Sequence, residues 1–256
     1  VEKQKISIAG DGFISSGDYE SIKIMGSAKS SGDIKSGEVK VNGDARFNGE
    51  LEFGRFKVNG DAYIIGNIKA GNIKINGNLD IDGSCEFDTM VVNGDCEINC
   101  DIRCNNVTIR GDMKIRKNLY AKEIKIYGDS KIEGNIECED IKVYGGINCK
   151  GLLNAENIFI NPRGRSYCRE IGATNIEISK TNNISFFKIK LPWDGRGTFR
   201  GEVIEGDFIK LENTEVKDLR GKDISLISKC KIENIEYTDN LEVSSDSIVQ
   251  NSTKIG

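Results

Sequence analysis

Apolar residues recur along this chain in pairs split by one outward position, and the pairs return at a fixed spacing. Gly26, Gly43, Gly60, Gly77, Gly94, Gly111, Gly128 and Gly145 stand seventeen residues apart without a slip. With each glycine as position zero, apolar side chains fall at +2, +4, +8, +10, +13 and +15. From Gly60 these are Ala62, Ile64, Ile68, Ala70, Ile73 and Ile75, and from Gly94 they are Cys96, Ile98, Ile102, Cys104, Val107 and Ile109. Each pair has the period-two signature of a strand with one buried face, and β-branched residues suit such a half-buried, pleated surface. Three pairs per repeat predict three short strands, one on each side of a triangular coil. No stretch between the glycines sustains a 3.6-residue period, which excludes a helical repeat. The pattern predicts an all-β chain, a parallel β-solenoid with one coil per seventeen residues. The usual rule for parallel crossovers makes it right-handed. At ~4.8 Å per coil the regular repeats predict a rod roughly 40 Å long.

The polar positions supply the corners. A second glycine recurs at +6, as Gly32, Gly49, Gly66, Gly83, Gly134 and Gly151. Both glycine columns are expected where positive φ is needed, which only glycine adopts cheaply. Asn42, Asn59, Asn76 and Asn93 precede the first glycine, and Asp44, Asp61, Asp95, Asp112 and Asp129 follow it. Asn-Gly-Asp is turn chemistry, and stacked asparagines are placed to hydrogen-bond from coil to coil. One coil cannot bury its own core, so stability must come from neighbours in nearly one-dimensional fashion.

The regular pattern covers residues 1–161. Ile6 and Ile8 precede Ile22 and Ile24 by sixteen positions and mark a divergent first coil. Pro162 breaks the period, and Ile176 to Ile178 follow the Ile158 group by eighteen, predicting one further coil. Residues 162–206 form an irregular junction, with an aromatic excursion over residues 185–199 that holds the only tryptophan. Residues 207–256 resume divergent coils, with Ile209/Leu211, Ile224/Leu226 and Leu241/Val243 spaced fifteen and then seventeen apart.

Composition narrows the function classes. The 256 residues include 29 glycines and 2 prolines, and the net charge is −4 with basic residues spread through the repeats, a poor match to a nucleic-acid partner. No apolar run approaches the ~20 residues of a membrane helix. The start, Val1-Glu2-Lys3-Gln4-Lys5, has no secretory apolar region and no initiating Met, consistent with a removed leader or short targeting peptide. There is no histidine, which removes Ser-His-Asp, Cys-His and His-metal sites together. Eight cysteines without paired CxxC spacing argue against zinc and for a reducing, cytoplasmic setting.

Two parts of the sequence resemble the bactofilin-like, polymer-forming cytoskeletal proteins of bacteria. One is the stacked pattern of Val41-Asn42-Gly43-Asp44 and Ile126-Tyr127-Gly128-Asp129. The other is residues 204–221, opening Ile204-Glu205-Gly206-Asp207 and closing Leu219-Arg220-Gly221, followed by Cys230-Lys231-Ile232-Glu233-Asn234-Ile235-Glu236-Tyr237. The second part is similar to the C-terminal portion of the long Firmicute members. The resemblance implies a cytoplasmic, non-enzymatic scaffold, at the inner face of the membrane or near it, that assembles without nucleotide and positions envelope-associated proteins. The chain is longer than the short members, carries the extra C-terminal block and shows no proline-rich tail.

Each candidate site has a plain structural alternative. The Asp column could hold calcium between coils, against turn caps on a solvated corner. Lys23, Lys40, Lys57, Lys74, Lys125 and Lys142 form one outward column. They are a basic stripe for anionic lipid or polysaccharide, or a solvated face that blocks wrong pairing. Glu50, Glu52, Glu86, Glu97 and Glu137 on facing columns favour the latter. Cys85, Cys96, Cys104, Cys138 and Cys149 fall in inward columns and read as core, with Cys96-x3-Cys100-x3-Cys104 as the metal or redox alternative. Phe186, Phe187, Trp193 and Phe199 form a partner patch or pack back onto the coils. No catalytic, cofactor or metal residue is assigned. The leading expectation is self-association through the open end coils, at Ile6 and Ile8 on one side and Leu241 and Val243 on the other. A polysaccharide-active β-helix enzyme, and a monomeric binding module using residues 185–199, are the alternatives from other classes.

Overall fold

The computed structural model describes residues 3–180 and 197–255. Those residues form an all-β parallel solenoid of about 14 turns, about 17 residues apart, without a helix. The chain divides into two compact units, Val1–Lys122 and Glu123–Gly256. That division follows packing. The division at 162 and 207 follows the regularity of the repeat, and the two do not coincide.

In the first unit each coil alternates a short strand with one of eight residues: Asp44–Asn48 then Leu51–Val58, Asp61–Ile65 then Ile68–Ile75, Asn78–Asp82 then Cys85–Val92. The longer strand carries two of the three apolar pairs. In Leu51–Val58 it keeps Leu51, Phe53, Phe56 and Val58 inward but places Gly54 and Arg55 outward in succession. That double outward step resets the alternation, so one strand bends across two sides of the triangle. Neighbouring coils pair in register at the sequence period: Val39 with Phe56, Phe56 with Ile73, Ile73 with Met90, Met90 with Val107.

Each inward position becomes a column of stacked side chains. Up one column, Ser36, Phe53, Ala70, Phe87 and Cys104 alternate small with large, and all are buried. Phe47, Phe53 and Phe56 meet within one coil at ring-centroid separations of 5.3 to 6.0 Å. Alternating sizes let successive layers interdigitate without voids.

The two glycine columns serve different ends. At the +6 corner Gly32 and Gly66 have φ of 88° and 122°, as expected, but Gly151 in the same column does not have positive φ. The zero-position glycines are not in that region, which corrects the expectation for their column. A Cβ on Gly60 would lie 2.2 Å from the Gly43 carbonyl oxygen, and one on Gly77 would lie 2.1 Å from that of Gly60. These glycines are required because one coil's backbone passes directly over the next. Beside them runs an amide ladder: Asn59, Asn76 and Asn93 each donate from Nδ2 to Oδ1 of the preceding asparagine at 2.7–2.8 Å, and Arg110 donates to Asn93.

From Gly146 onward the second unit spends longer strands on its coils: Gly146–Ile160, Arg165–Ile178, Thr198–Glu212, Thr214–Ser228 and Lys231–Val243. The expected further coil is present, with Ile158 opposite Ile176. Ile176 pairs with Ile209, Ile209 with Ile224 and Ile224 with Leu241. Two of its turns use Asn213 and Lys229 at φ of 50° and 52° in place of glycine, a conformation asparagine tolerates better than most side chains.

Candidate assembly site

At the N-terminal side, the strand Gln4–Ile8 pairs with Gly17–Ile24, setting Ile6 against Ile22 and Ile8 against Ile24. Among the described residues no strand pairs with its other edge. The same inward columns then change exposure over a single coil. Ile22 and Ile24 are sealed, while Ile6 and Ile8 are half-buried. Lys3 and Lys5 flank the edge and are held in ion pairs with Asp18 and Glu20 at 2.9 and 3.1 Å.

At the C-terminal side, Leu241 and Val243 lie over Ile224 and Leu226. Leu226 is 2% exposed and Val243 45%. A further strand, Ile248–Lys254, covers Lys231–Val243 only from Lys231 to Tyr237. This last layer is therefore staggered, and the edge residues include one the sequence reading missed. Val249 sits over the buried Ile232 and is itself half-buried. The signal was present, since Ile232 and Val249 are one period apart. Ile248, its outward neighbour, is 60% exposed.

The outward columns are ladders of charge. Asp18, Lys35, Glu52, Lys69, Glu86 and Arg103 stand in register and alternate in sign. Lys35 reaches Glu52 at 2.6 Å and Lys69 reaches Glu86 at 2.9 Å. They line a shallow groove of about 310 Å³ floored by Gly37, Gly54 and Gly71. Lys23, Lys40, Lys57 and Lys74 also stack in register, all of one sign, whereas Lys125 is paired with Glu123 at 2.7 Å. The Asp column stacks as well, with Asn78 donating to Asp61 at 2.9 Å. Among the described residues no three His, Cys, Asp or Glu side chains converge as metal ligands.

Cys85, Cys96, Cys104 and Cys149 are buried and Cys138 is half-buried. Burial raises the Cys104 thiol to about 11 and the Cys138 thiol to about 12, and pushes Cys96 up further still. Cys100 makes its sulfur contact with Cys85, Sγ to Sγ 3.2 Å, a pairing that linear spacing does not suggest. Phe199 is sealed within the strand Thr198–Glu212 at 1% exposure, so it packs into the coils. Phe186, Phe187 and Trp193 lie outside the described residues. An aromatic stack went unread in the sequence: Tyr127 lies 5.3 Å from Tyr144 with rings nearly parallel, and Tyr144 lies 5.6 Å from Phe159. Phe159 occupies an outward column yet is only 7% exposed.

Among the described residues no helix is long and apolar enough to cross a membrane. Residues 86–154 match the family model described as Bactofilin, polymer-forming cytoskeletal. That match falls on the regular coils and not on residues 204–237. Over 92 residues, 36% of this chain, it is 32% identical to the uncharacterized protein YhbE of Bacillus subtilis (strain 168). Over 90 residues, 35% of this chain, it is 37% identical to the uncharacterized protein YhbF of the same organism. The chain spans 38% and 35% of the length of these relatives. No solved structure matches.

Proposed function

We propose that this chain, whose coils carry the bactofilin match at residues 86–154, is a non-enzymatic cytoskeletal scaffold. It assembles by stacking the coil edge at Ile6 and Ile8 or the one at Leu241, Val243 and Val249 against another copy. The observation that carries the reading is the step in burial at each edge. Columns closed at Ile22, Ile24 and Leu226 stand open one coil further out, where a strand with unpaired N–H and C=O groups is a template for another strand. Backbone pairing and apolar contact need no nucleotide. Along the sides of the polymer, repeated ladders would present the same face to envelope-associated partners at every coil. The polysaccharide-enzyme reading has less support, because Glu52 and Glu86 in the groove are engaged by Lys35 and Lys69 and are not poised for acid–base work.

The test is sedimentation and electron microscopy of the full chain over a range of concentrations, without nucleotide. Polymers are expected. Ile8→Asp and Val243→Asp, made separately, should weaken assembly, since a carboxylate buried without a partner costs several kcal/mol. Circular dichroism should stay that of the parent. A chain that stays monomeric at high concentration overturns the scaffold reading. Polymers indifferent to both substitutions would move the contact to a lateral face.

A further inference from the structure

Six of the eight cysteines read as filling space, but the contact between the other two does not fit that description. Cys85 opens the strand Cys85–Val92 just after the corner at Gly83. Cys100 stands one coil on, in the +6 corner column that Gly32, Gly49, Gly66 and Gly83 occupy in earlier coils. The register puts Cys85 opposite Ile102, so Cys100 lies two residues ahead of the in-line partner. The bend of the corner nevertheless swings its sulfur to 3.2 Å from that of Cys85. A disulfide needs about 2.05 Å between sulfurs, so closure requires a shift of about 1.2 Å in side chains already aimed at each other.

The electrostatics divide the pair. The hydrogen bond with the Cys85 thiol is the largest influence on Cys100 and lowers its pKa; burial opposes it, a Gly83 amide adds to it, and the nearby charges of Asp101 and Lys117 act in opposite directions. Cys85 is raised, first by that same hydrogen bond and then by burial. The two shifts run in opposite directions, so Cys100 is the more acidic thiol of the pair and Cys85 the less acidic. Cys100 is 7% exposed at the corner. The other adjacent pair, Cys149 and Cys168, is in register and fully sealed, 0% exposed at both. Reactivity follows thiolate character together with access, and Cys100 is both the more acidic and the more exposed member of its pair.

We propose that Cys85 and Cys100 form an oxidation site, converted by a hydroperoxide to a disulfide that ties two successive coils together. The Cys100 sulfur attacks the distal oxygen of the hydroperoxide, the O–O bond breaks, and the leaving alkoxide or hydroxide takes up a proton. The product is a sulfenic acid on Cys100. The Cys85 sulfur then attacks the Cys100 sulfur, loses its proton and displaces hydroxide, which leaves as water. Two thiols and one hydroperoxide give one disulfide, one water and one alcohol, or a second water when the oxidant is hydrogen peroxide. The bond would span the Asp95–Ile98 strand and prevent those two coils from separating.

The test treats reduced, full-length protein with hydrogen peroxide, blocks remaining thiols and maps peptides by mass spectrometry. A Cys85–Cys100 linked peptide, lighter by two hydrogens, is the expected product, formed in the folded protein. Cys85→Ser should leave a Cys100 sulfenic acid that a dimedone probe captures, and Cys100→Ser should leave Cys85 unmodified. In the reduced protein, thiol labelling at Cys100 should outpace that at Cys96 by about tenfold or more. Circular dichroism checks that each variant keeps the β spectrum, and the linked peptide from unsubstituted protein stands independently of the variants. The proposal is overturned if Cys85 and Cys100 remain free thiols after peroxide, if the link appears only in denaturant, or if Cys100 is captured in a different pair.

Discussion

Gly60→Ala tests the reason for the seventeen-residue glycine. The added Cβ would meet the Gly43 carbonyl oxygen at 2.2 Å and that of Asn42 at 2.7 Å. Ordinary contact begins at 3.4 Å, so the coils must open by 3.4 − 2.2, or 1.2 Å, at that corner. Three backbone hydrogen bonds hold it shut, Asp61 N to Gly43 O at 3.1 Å, Asn59 N to Val41 O at 2.7 Å and, at the long limit, Gly60 N to Val41 O at 3.4 Å. Opening by that much stretches the first beyond bonding range and strains the second. At about 1 kcal/mol for each bond, with strain added for the backbone that cannot relax, the loss should be about 3 kcal/mol. Gly10→Ala is the control. Gly10 stands at the same kind of corner in the first coil and has nothing within 4 Å of its Cβ position. Its substitution should leave the monomer within about 0.5 kcal/mol of the parent. Urea unfolding followed by circular dichroism gives the stabilities, and hydrogen exchange should confine the Gly60→Ala damage to the coils beside it. If Gly60→Ala is as stable as Gly10→Ala, close approach of backbones is not what the glycine column is for. The pair also bears on assembly. A docked coil would pass over Gly10 as Gly26 passes over it on the inner side, so Gly10→Ala should weaken polymers formed through that edge while sparing the fold.

Asn76→Ala removes both a donated bond at 2.7 Å and an accepted one at 2.8 Å from the amide ladder. It should cost about 1–2 kcal/mol in urea unfolding, and a neutral result would make the ladder ornamental. Phe56→Ala, at a 1% exposed site touching two other rings, should cost about 3–5 kcal/mol. Glu133 is held down to about 2, first by Lys150 and then by Lys131, from an ordinary 4.5. A depressed carboxylate stabilises the fold above its unfolded pKa and loses that contribution as pH falls towards the folded value. Melting temperature should therefore drop between about pH 4.5 and 2, less steeply in Glu133→Gln and in high salt. Cys96, Cys104 and Cys138 should resist a thiol reagent until denaturant is added, and rapid labelling of all three in the native protein would contradict their inward placement.

The repeat was legible because its period is written in every column at once. Ile6, Ile22 and Val39, or Ile209, Ile224 and Leu241, could be placed in register from spacing alone, since a one-residue slip would turn every apolar side chain outward. The asparagine ladder was legible for the same reason: identical side chains one period apart must stack. Other features depended on how the chain turns between strands. Sequence shows that Gly60 is glycine but not whether φ or a carbonyl 2.2 Å away demands it. Cys85 and Cys100 are fifteen residues apart and off register, and only the corner brings their sulfurs together. Phe159 alternates as an outward residue, yet the stack with Tyr144 and its surroundings buries it. The edge at Val249 was one period from Ile232, but its partial cover of Lys231–Val243 is a matter of where the last coil stops pairing. Periodic one-dimensional stacking makes neighbours predictable along the columns. Contacts around a coil, from one side of the triangle to another, depend on bend angles that the residue pattern does not encode.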